Sequence, residues 1–486
     1  MLTFRRFDQS LLDYNSRFNE INMSKKFIRY STGIKSFLVA IVFFALTSCS
    51  DFIDVGIPKN QLVAEMVFTT DQTANAAMIG IYSRMMDSPA LVSMMLTVAG
   101  GVSSDELVNY NTLGSERELF ENEITPTNTF NLMMWQSAYE YIYQANMVIE
   151  GVTNATGLLP TTKSQLLGEA KFVRAFCHFY LVNLYGPVPI VASSNYEQNA
   201  VVSRSNIADV YNFILQDLSE AKQLLPTNYV GAGKGRPNKY AASALLARVY
   251  LYRGDDALAE VESTFIIESN AYSLKTNPAE VFLVASAEAI WQLLPVAPSM
   301  NTYDADRFVT TAAPITQALN PTLVNSFDEI DARRAAWIGQ STDGVSTYYF
   351  PYKYKVKSGA TTVTEHYMMF RLAEQYLIRA EVRANQGKLT GAVEDIDLIR
   401  NRAGLPSVLE ETATPSEEDA LNFIVRERQF ELFAELGHRW FDLKRWDLAG
   451  EVLSGTKPGW DDTDILFPVP DQERQRNINL SQNLGY

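Results

Sequence analysis

The sequence predicts a mainly α-helical protein. Four tetratricopeptide-like helical hairpins are expected to form a scaffold, and a loop-rich, irregular half with short β-strands is expected to pack against it. Three observations support this: apolar residues recur at helical spacing, alanine pairs repeat in two segments, and long polar stretches separate the helical segments. The repeat helices are expected at about 71–86, 134–151, 164–185, 206–225, 238–268 and 370–403.

The segment 164–185 shows the helical pattern most clearly. Its apolar residues alternate between spacings of four and three, which places them on one face of a helix. Gly186-Pro187 follows, so the helix is expected to end at Tyr185. Cys177 is expected in the core because it belongs to this face. The face comprises Leu166, Ala170, Val173, Cys177, Tyr180 and Leu184.

Two of the helical pairs repeat each other. Ala247 and Ala259 are 12 residues apart in one pair, as are Ala380 and Ala392 in the other, and a glycine lies in each turn. Small residues at this spacing let two antiparallel helices approach closely, which is the physical basis of the tetratricopeptide hairpin. A plain helical bundle is the alternative, since alanines at helical spacing occur there too.

The segments between the helices differ in composition. Residues 87–130, 270–368 and 404–418 are rich in Asn, Thr, Ser, Pro and Gly. Because long loops in a compact chain are usually functional, ligand-binding insertions are expected in about 87–130 and 270–368. A β-like run begins at Ala289. Trp291 and Trp337 are expected in the core because their surroundings are β-like and apolar.

The N-terminus has the features of a secretion signal. Residues 37–46 are uncharged and apolar, too few to span a bilayer, and basic residues precede them. Leu46-Thr47-Ser48-Cys49 resembles the lipobox of bacterial lipoproteins, in which the cysteine carries the acyl chains. Residues 1–48 are therefore expected to be a leader and lipoprotein signal peptide, and Met23 is expected to be the true start of the protein. Cys49 is expected to be the lipid attachment site of a single domain, 49–486.

Acidic residues directly behind the anchor indicate the location of the protein. Asp51 and Asp54 follow Cys49, and this arrangement resembles the signal that sends lipoproteins of Bacteroidota to the cell surface. The expected place is the outer membrane, lipid-anchored and facing the cell exterior. No other stretch reaches 18 uninterrupted apolar residues, so membrane contact is expected through the lipid alone.

Charge and motif content favour a binding protein over an enzyme. A net charge of −15 disfavours nucleic acid as a partner. His178, His366 and His438 lack metal-ligand spacing, and no GxSxG elbow is present. No catalytic residue, metal or cofactor is therefore expected. A glycoside hydrolase is the enzymatic alternative, because two catalytic carboxylates need to meet only in three dimensions.

Seven motifs spread over most of the chain stand in a characteristic order. They read GEAKFVRAF (168–176), LYGPVP (184–189), AASALLARVYLY (241–252), RLAEQYLIRAE (371–381), IRNRAGLP (399–406), ERQFEL (427–432) and GHRWFDLKRW (437–446). With the lipobox before them, these motifs resemble the SusD/RagB family of nutrient-binding outer-membrane lipoproteins of Bacteroidota.

The resemblance implies a four-repeat helical scaffold with an irregular ligand-binding half. It also implies a partner, a SusC-like TonB-dependent outer-membrane barrel over which the lipoprotein sits as a lid. Most characterised members bind glycans and a minority bind peptides, so an oligosaccharide ligand is expected and a peptide is the alternative. A tetratricopeptide adaptor for a protein partner is the third hypothesis; the long insertions argue against it because they should cover part of the helical array.

Charged residues in the last two motifs are expected to form structural ion pairs rather than a site, and Trp440 and Trp446 are expected to pack at a helix end. The charged residues are Glu427, Arg428, Glu431, Arg439, Asp442 and Arg445.

Ligand contacts are expected in two of the insertions. Segment 103–110 offers Asp105, Asn109 and Tyr110, and segment 300–308 offers Tyr303 and Arg307. Loop aromatics stack on the apolar face of a sugar ring, while Asp, Asn and Arg bond its hydroxyls. The alternative is that the two tyrosines only cover the scaffold.

The lipid anchor is testable by one substitution. Cys49→Ala should abolish the incorporation of radioactive palmitate and release the protein from membranes, because no thiol would remain to carry the acyl chains. Labelling followed by membrane fractionation measures both effects. Unchanged membrane association of the variant would contradict the lipid anchor.

Overall fold

The structure, a computed structural model, describes residues 66–87, 90–457 and 459–486. Cys49 and the expected leader lie outside these residues. The described part of the chain holds 19 α-helices and six short strands. None of its helices is both long and apolar enough to cross a bilayer.

The helices and strands have the following bounds. The helices are α1 (Asp71–Met85), α2 (Leu96–Ser103), α3 (Ser115–Glu121), α4 (Thr129–Asn154), α5 (Pro160–Tyr185), α6 (Tyr196–Asn199), α7 (Ile207–Leu224), α8 (Lys239–Arg253), α9 (Asp256–Ile267), α10 (Tyr303–Phe308), α11 (Pro321–Ser326), α12 (Ala332–Trp337), α13 (Leu372–Asn385), α14 (Leu389–Ala403), α15 (Val408–Glu411), α16 (Glu417–Leu432), α17 (His438–Arg445), α18 (Ala449–Leu453) and α19 (Asp471–Arg476). The strands are β1 (Leu107–Asn109), β2 (Ala289–Leu293), β3 (Gln317–Leu319), β4 (Ile338–Thr342), β5 (Thr347–Pro351) and β6 (Tyr367–Arg371).

Short polar side chains begin several of the long helices. Asn128 precedes α4 and Asn238 precedes α8, and each side chain accepts a hydrogen bond from a backbone N–H in the first turn. A cap of this kind stabilises a helix by about 1 kcal/mol. Ser416 belongs to a capping box at the start of α16. As predicted, α5 ends at Tyr185, because Gly186 has a φ of +69° that breaks the helix.

The long helices pack as consecutive pairs: α1 with α4, α5 with α7, α8 with α9, and α13 with α14. Neighbouring pairs also touch, since α4 contacts α5, α7 contacts α8, and α9 contacts α13. Ala247 and Ala259 are fully buried where α8 and α9 meet Ile378 of α13. The prediction of a mainly helical fold is confirmed, and the assignment of these pairs to tetratricopeptide repeats stays a prediction.

Some elements have other bounds than the sequence pattern indicates. The helix expected at about 134–151 spans Thr129–Asn154, and the segment 370–403 begins inside strand β6 before its two helices. Within the expected insertion 87–130, α2 is a helix whose residues are all buried. Its sequence, LTVAGGVS, has no polar face, so it shows no helical periodicity.

The strands join the helical array through an aromatic cluster. Trp291 on β2 packs edge-on against Phe172 of α5 at a centroid distance of 4.9 Å, and tilted against Phe370 of β6 at 5.6 Å. Each such contact contributes about 0.5–1.5 kcal/mol beyond the area that it buries. Trp291, Trp337 and Cys177 are fully buried, so their predicted place in the core is confirmed.

A row of buried carboxylates lies along α16 and just past its end. Glu431 is fully buried and forms ion pairs with Arg333, Arg371 and Arg402, with N–O distances of 3.2 Å to Arg333 and 2.5 Å to Arg371. These arginines belong to α12, β6 and α14 respectively. One glutamate therefore joins three elements that are far apart in the sequence.

The other two members of this carboxylate row extend the network. Glu427, one turn earlier, pairs with Arg400 of α14 at 2.9 Å. Glu435, just past the helix, pairs with Lys353 at 2.5 Å and with Arg371 at 2.8 Å. All of these side chains are buried. The two flanks of the β4–β5 hairpin are thereby attached to α16, since Arg333 precedes β4 and Lys353 follows β5.

The charged motif residues form the predicted structural ion pairs. Arg428 and Arg445 both pair with Asp442 at 2.8 Å. Arg439 pairs with a residue outside its motif, Asp105, at 2.7 Å. The structure thus confirms ion pairing in these motifs and adds a partner that the sequence did not indicate.

Removing one charge from the carboxylate row should destabilise the whole domain. Glu431→Gln keeps the side-chain volume but leaves three buried guanidinium groups short of a counter-ion. We expect the free energy of unfolding to fall by about 3–5 kcal/mol, the usual cost of breaking a buried ion pair. Urea denaturation followed by circular dichroism measures the change. Glu418→Gln, exposed on the same helix, is the control and should cost about 0.5 kcal/mol or less.

The same variant has a pH signature. Burial alone would raise the pKa of Glu431, but Arg402, Arg371 and Arg333 hold that pKa well below its usual range. The stabilisation is therefore complete above the unfolded pKa of about 4.3 and is lost as the pH falls through the folded pKa. The difference in stability between wild type and Glu431→Gln should shrink below about pH 4. A difference independent of pH would contradict the role given to this charge.

Candidate ligand-binding site

Two strands from different insertions meet at the candidate site. β1 and β3 pair antiparallel, with Asn109 opposite Gln317. The backbone N–H of Tyr110 donates to the Thr316 carbonyl at 2.6 Å and extends the ladder by one residue. The insertions that begin near residues 87 and 270 are thus joined at Asn109 and Tyr110, two of the predicted contact residues.

Helix α2 brings the chain to β1 by a close backbone approach. Gly100 lies so near Gly437 that a Cβ at residue 100 would overlap the Gly437 backbone, and Gly437 itself has a φ of +74°. This contact places Asp105 beside Arg439 of α17. The Nε and Nη2 atoms of Arg439 donate to the two Asp105 carboxylate oxygens at 2.7 and 2.8 Å. Asp105 therefore holds the start of the site through a bidentate ion pair.

A polar network connects the two insertions below the surface. The Nε2 atom of Gln317 donates to Asn109 Oδ1 at 2.9 Å and to Glu116 Oε2 at 3.0 Å. The Nε atom of Arg307 donates to Gln317 Oε1 at 2.9 Å, and its Nη2 atom donates to Glu116 Oε1 at 2.5 Å. The structure thus brings Asn109 and Arg307 into one network. Each of its hydrogen bonds fixes a side chain that a ligand could otherwise displace.

A tyrosine pair lies beside this network, with Tyr110 exposed and Tyr348 half-buried. Tyr110 is 40% exposed, and its ring meets that of Tyr348 edge-on at 5.7 Å and 80°. Tyr348 stands on β5 and donates its hydroxyl to Asp343 Oδ2 at 2.8 Å. Hydrogen bonds from the backbone N–H groups of Ser346 and Val345 lower the pKa of Asp343 to about 2. Asp343 is therefore ionised at any physiological pH and holds the Tyr348 ring in place.

The tyrosine pair has the chemistry of a sugar-binding surface. Partial burial raises the pKa of Tyr110, and the hydrogen bond to Asp343 raises the pKa of Tyr348, so both phenols are neutral at pH 7. Their ring faces can stack on the apolar face of a pyranose, and Tyr110 offers a hydroxyl as donor or acceptor. No group of three or more metal-ligating side chains occurs among the residues that the structure describes.

Tyr303 lies deeper than Tyr110. It begins α10, four residues before Arg307, so the two side chains share one face of that helix. Tyr303 is partly buried and packs against the main hydrophobic core. Of the five predicted residues, the structure places Asn109, Tyr110 and Arg307 around one network, Asp105 in an ion pair at its edge, and Tyr303 against the core.

Sequence reasoning missed three residues of this arrangement: Tyr348, Glu116 and Gln317. The dipeptide Asp343-Gly344 is a hairpin signal that could have located β4 and β5. Nothing in the local pattern indicates that this hairpin meets Tyr110. Glu116 and Gln317 are polar residues in polar segments, and only the pairing of β1 with β3 gives them a common place.

Comparison with known proteins gives matches over most of the chain. A SusD-like family described as starch-binding and associating with the outer membrane matches residues 51–251, and the SusD family matches residues 333–486. A SusD-like protein of Formosa agariphila is 26% identical, over 93% of this chain and 98% of its own. The starch-binding protein SusD of Bacteroides thetaiotaomicron is 25% identical, over 69% of this chain and 74% of its own.

Solved structures share the fold. A SusD homologue from Bacteroides thetaiotaomicron superposes with a TM-score of 0.76 at 19% identity, and the match covers 87% of this chain and 99% of the other. A laminarin-binding SusD-like protein superposes with a TM-score of 0.72 at 24% identity, covering 86% of this chain and 100% of its own. Sequence identities this low establish similarity of fold and nothing beyond it.

Proposed function

The chain belongs to the SusD family, and we propose that it captures an oligosaccharide at the cell surface and delivers it to a SusC-like TonB-dependent outer-membrane barrel. The family is one of starch- and glycan-binding proteins that associate with the outer membrane. The observation that supports a glycan ligand here is the partly exposed pair of Tyr110 and Tyr348 beside a fixed polar network.

Each part of the site has a role in this proposal. The tyrosine pair stacks against the sugar rings, and the partly exposed Arg307 bonds hydroxyl groups at its edge. Asn109 is buried and fixes Gln317 within the network. Asp105 and Tyr303 position the segments that carry these contacts. Two names among the similar proteins fit such a ligand, since one relative is called starch-binding and one structural neighbour laminarin-binding, and both polysaccharides are neutral glucans.

The charges of the site favour binding over glycoside hydrolysis. A glycosidase needs one carboxyl group whose pKa is raised so that it can donate a proton. At this site the pKa of the exposed Asp343 is lowered to about 2, and Glu116 accepts hydrogen bonds from Arg307 and Gln317. Burial raises the pKa of two nearby carboxyl groups, Glu106 to about 8 and Asp304 to about 7, but both are buried away from a ligand at the surface. We therefore propose a binding protein without catalytic residues or cofactor.

A peptide is the second candidate ligand, and one observation favours it. Three aliphatic side chains in the loops around the tyrosine pair are almost fully exposed: Leu113 at 85%, Ile315 at 85% and Val345 at 95%. Exposed apolar groups of this kind suit the side chains of a peptide as well as the apolar faces of sugars.

The expected lipid anchor is compatible with delivery to the barrel, because Cys49 would hold the protein at the outer membrane, where the barrel lies. Membrane contact through the lipid and ligand contact through the insertions then use separate parts of the chain.

Substitution of either tyrosine should weaken ligand binding without unfolding the protein. Tyr110→Ala and Tyr348→Ala should each cost about 1–2 kcal/mol in binding, with Tm nearly unchanged, because an exposed stacking ring contributes to binding rather than to the core. Isothermal titration with laminari- and malto-oligosaccharides, and with a mixed peptide library, measures the effect.

Tyr143→Ala is the matched control, since Tyr143 is 42% exposed on scaffold helix α4. It should alter neither affinity nor Tm. Saccharide affinities that stay the same in both site variants would place the ligand elsewhere on the molecule. Binding of peptides but of no saccharide would replace the glycan by the second candidate.

The barrel partner should be recoverable with the protein. After extraction in mild detergent, a large TonB-dependent barrel should co-purify with the tagged lipoprotein, because a lid must stay in contact with the channel that it serves. Deletion of either gene should abolish uptake of the ligand. Recovery of the lipoprotein only as a free monomer in several detergents would contradict the proposal that it sits over the barrel as a lid.

A further inference from the structure

A recess of ≈ 430 Å³ opens beside the loop between β1 and α3. This volume is within the range of pockets that hold small ligands. The loop forms one part of its wall and the exposed side of α3 forms the other. Its lining comprises Thr112, Leu113, Gly114, Arg117, Glu118 and Glu121, and we call it the Arg117 recess.

The Arg117 recess is close to the tyrosine pair. Thr112 follows Tyr110 by two residues, so their Cα atoms are at most about 7.6 Å apart. Asn111, between them, donates to Glu116 Oε2 at 2.5 Å and so connects this loop to the polar network. The recess therefore begins within two residues of the ring on which the ligand is proposed to stack.

The recess offers fixed hydrogen-bonding groups. Glu118 Oε2 accepts from the backbone N–H and the hydroxyl of Thr125 at 2.9 and 2.8 Å, and from Asn128 at 3.0 Å. Arg117 forms an ion pair with Glu121 on the surface of α3, and both side chains are 37% exposed. A guanidinium group has five N–H donors, more than one carboxylate can accept. Arg117 thus has donor capacity for sugar hydroxyls.

The charges around the tyrosine pair and the recess disfavour an anionic ligand. Acidic side chains outnumber basic ones: Glu116, Glu118, Glu121 and Asp343 lie there with Arg117, Arg307 and Lys457. Lys457 is buried and donates to the backbone carbonyls of Val102 and Phe120. Both arginines already pair with glutamates. A sulfate or uronate group entering here would meet a negative potential.

We propose that the Arg117 recess is a second subsite of the glycan site, and that the two together take a neutral oligosaccharide of several units. In this arrangement the tyrosine pair holds one end of the chain and Arg117 donates to hydroxyl groups further along it. The inference rests on the proposed function, because it extends the site at Tyr110.

Chain length separates the two subsites in an experiment. Four series of uncharged oligosaccharides, laminari-, malto-, manno- and xylo-, each from disaccharide to heptasaccharide, are titrated into the full-length protein. Arg117→Ala should weaken binding of the heptasaccharide about tenfold, the effect of losing one charged hydrogen bond. Disaccharide affinity and Tm should not change, since a disaccharide occupies the tyrosine pair alone.

Arg474→Ala is the matched control. Arg474 is also 37% exposed and also pairs with a carboxylate on its own helix, Asp471. The Arg474→Ala variant should change the affinity for neither the disaccharide nor the heptasaccharide. Arg117→Lys should recover part of the heptasaccharide affinity, because a lysine still donates. A purely structural role for Arg117 would lower the affinity for short and long chains equally and would overturn the proposal.

The ligand class is tested with anionic chains. Alginate and chondroitin sulfate oligosaccharides should bind at least tenfold more weakly than the neutral oligosaccharide that binds most tightly. Tighter binding of an anionic chain that still depends on Tyr110 would overturn this inference and leave the proposed function standing. If folded protein binds none of the neutral or anionic saccharides, the proposed function fails, and this inference with it.

Discussion

The rest of the structure depends on the carboxylate row of α16. Glu427, Glu431 and Glu435 are buried, and burying a charge is costly unless oppositely charged groups surround it. The row is therefore stable only when α12, β6, α14 and the segment after β5 supply their arginines and lysine together. All of them except α14 are far from α16 in the sequence. The network contributes little net stability compared with an apolar core, but it specifies which segments must meet.

Both halves of the candidate site follow from this constraint. The hairpin that carries Tyr348 is flanked by Arg333 and Lys353, which pair with the carboxylate row. The strand that leads into Tyr110, β1, begins two residues after Asp105, which pairs with Arg439 on the helix that follows the row. Residues that never touch the ligand in the proposed function thus determine where the two tyrosines lie. This explains why the motifs at 427–446 are rich in charge.

The sequence predicts what is local and misses what joins distant segments. Helical periodicity locates α5 and its end at Tyr185, and apolar surroundings place Trp291 and Trp337 in the core, because these depend on neighbours within a few residues. The pairing of β1 with β3 depends on two short strands of three residues each, which is too little pattern to identify a partner. For the same reason Asn109 and Arg307 could be proposed as contacts, while Gln317 and Glu116, which connect them, could not.

A buried ionic scaffold and an exposed aromatic pair place different demands on the sequence. Replacing one charge of the carboxylate row leaves its partners buried and unpaired, so that row tolerates little change. The loops with Leu113, Ile315 and Val345 expose nearly all of these side chains, and their substitution costs the fold little. In the proposed function the ligand contacts therefore lie where the fold constrains the sequence least, and the negative charge around Arg117 and Arg307 is the feature of these loops that favours a neutral ligand.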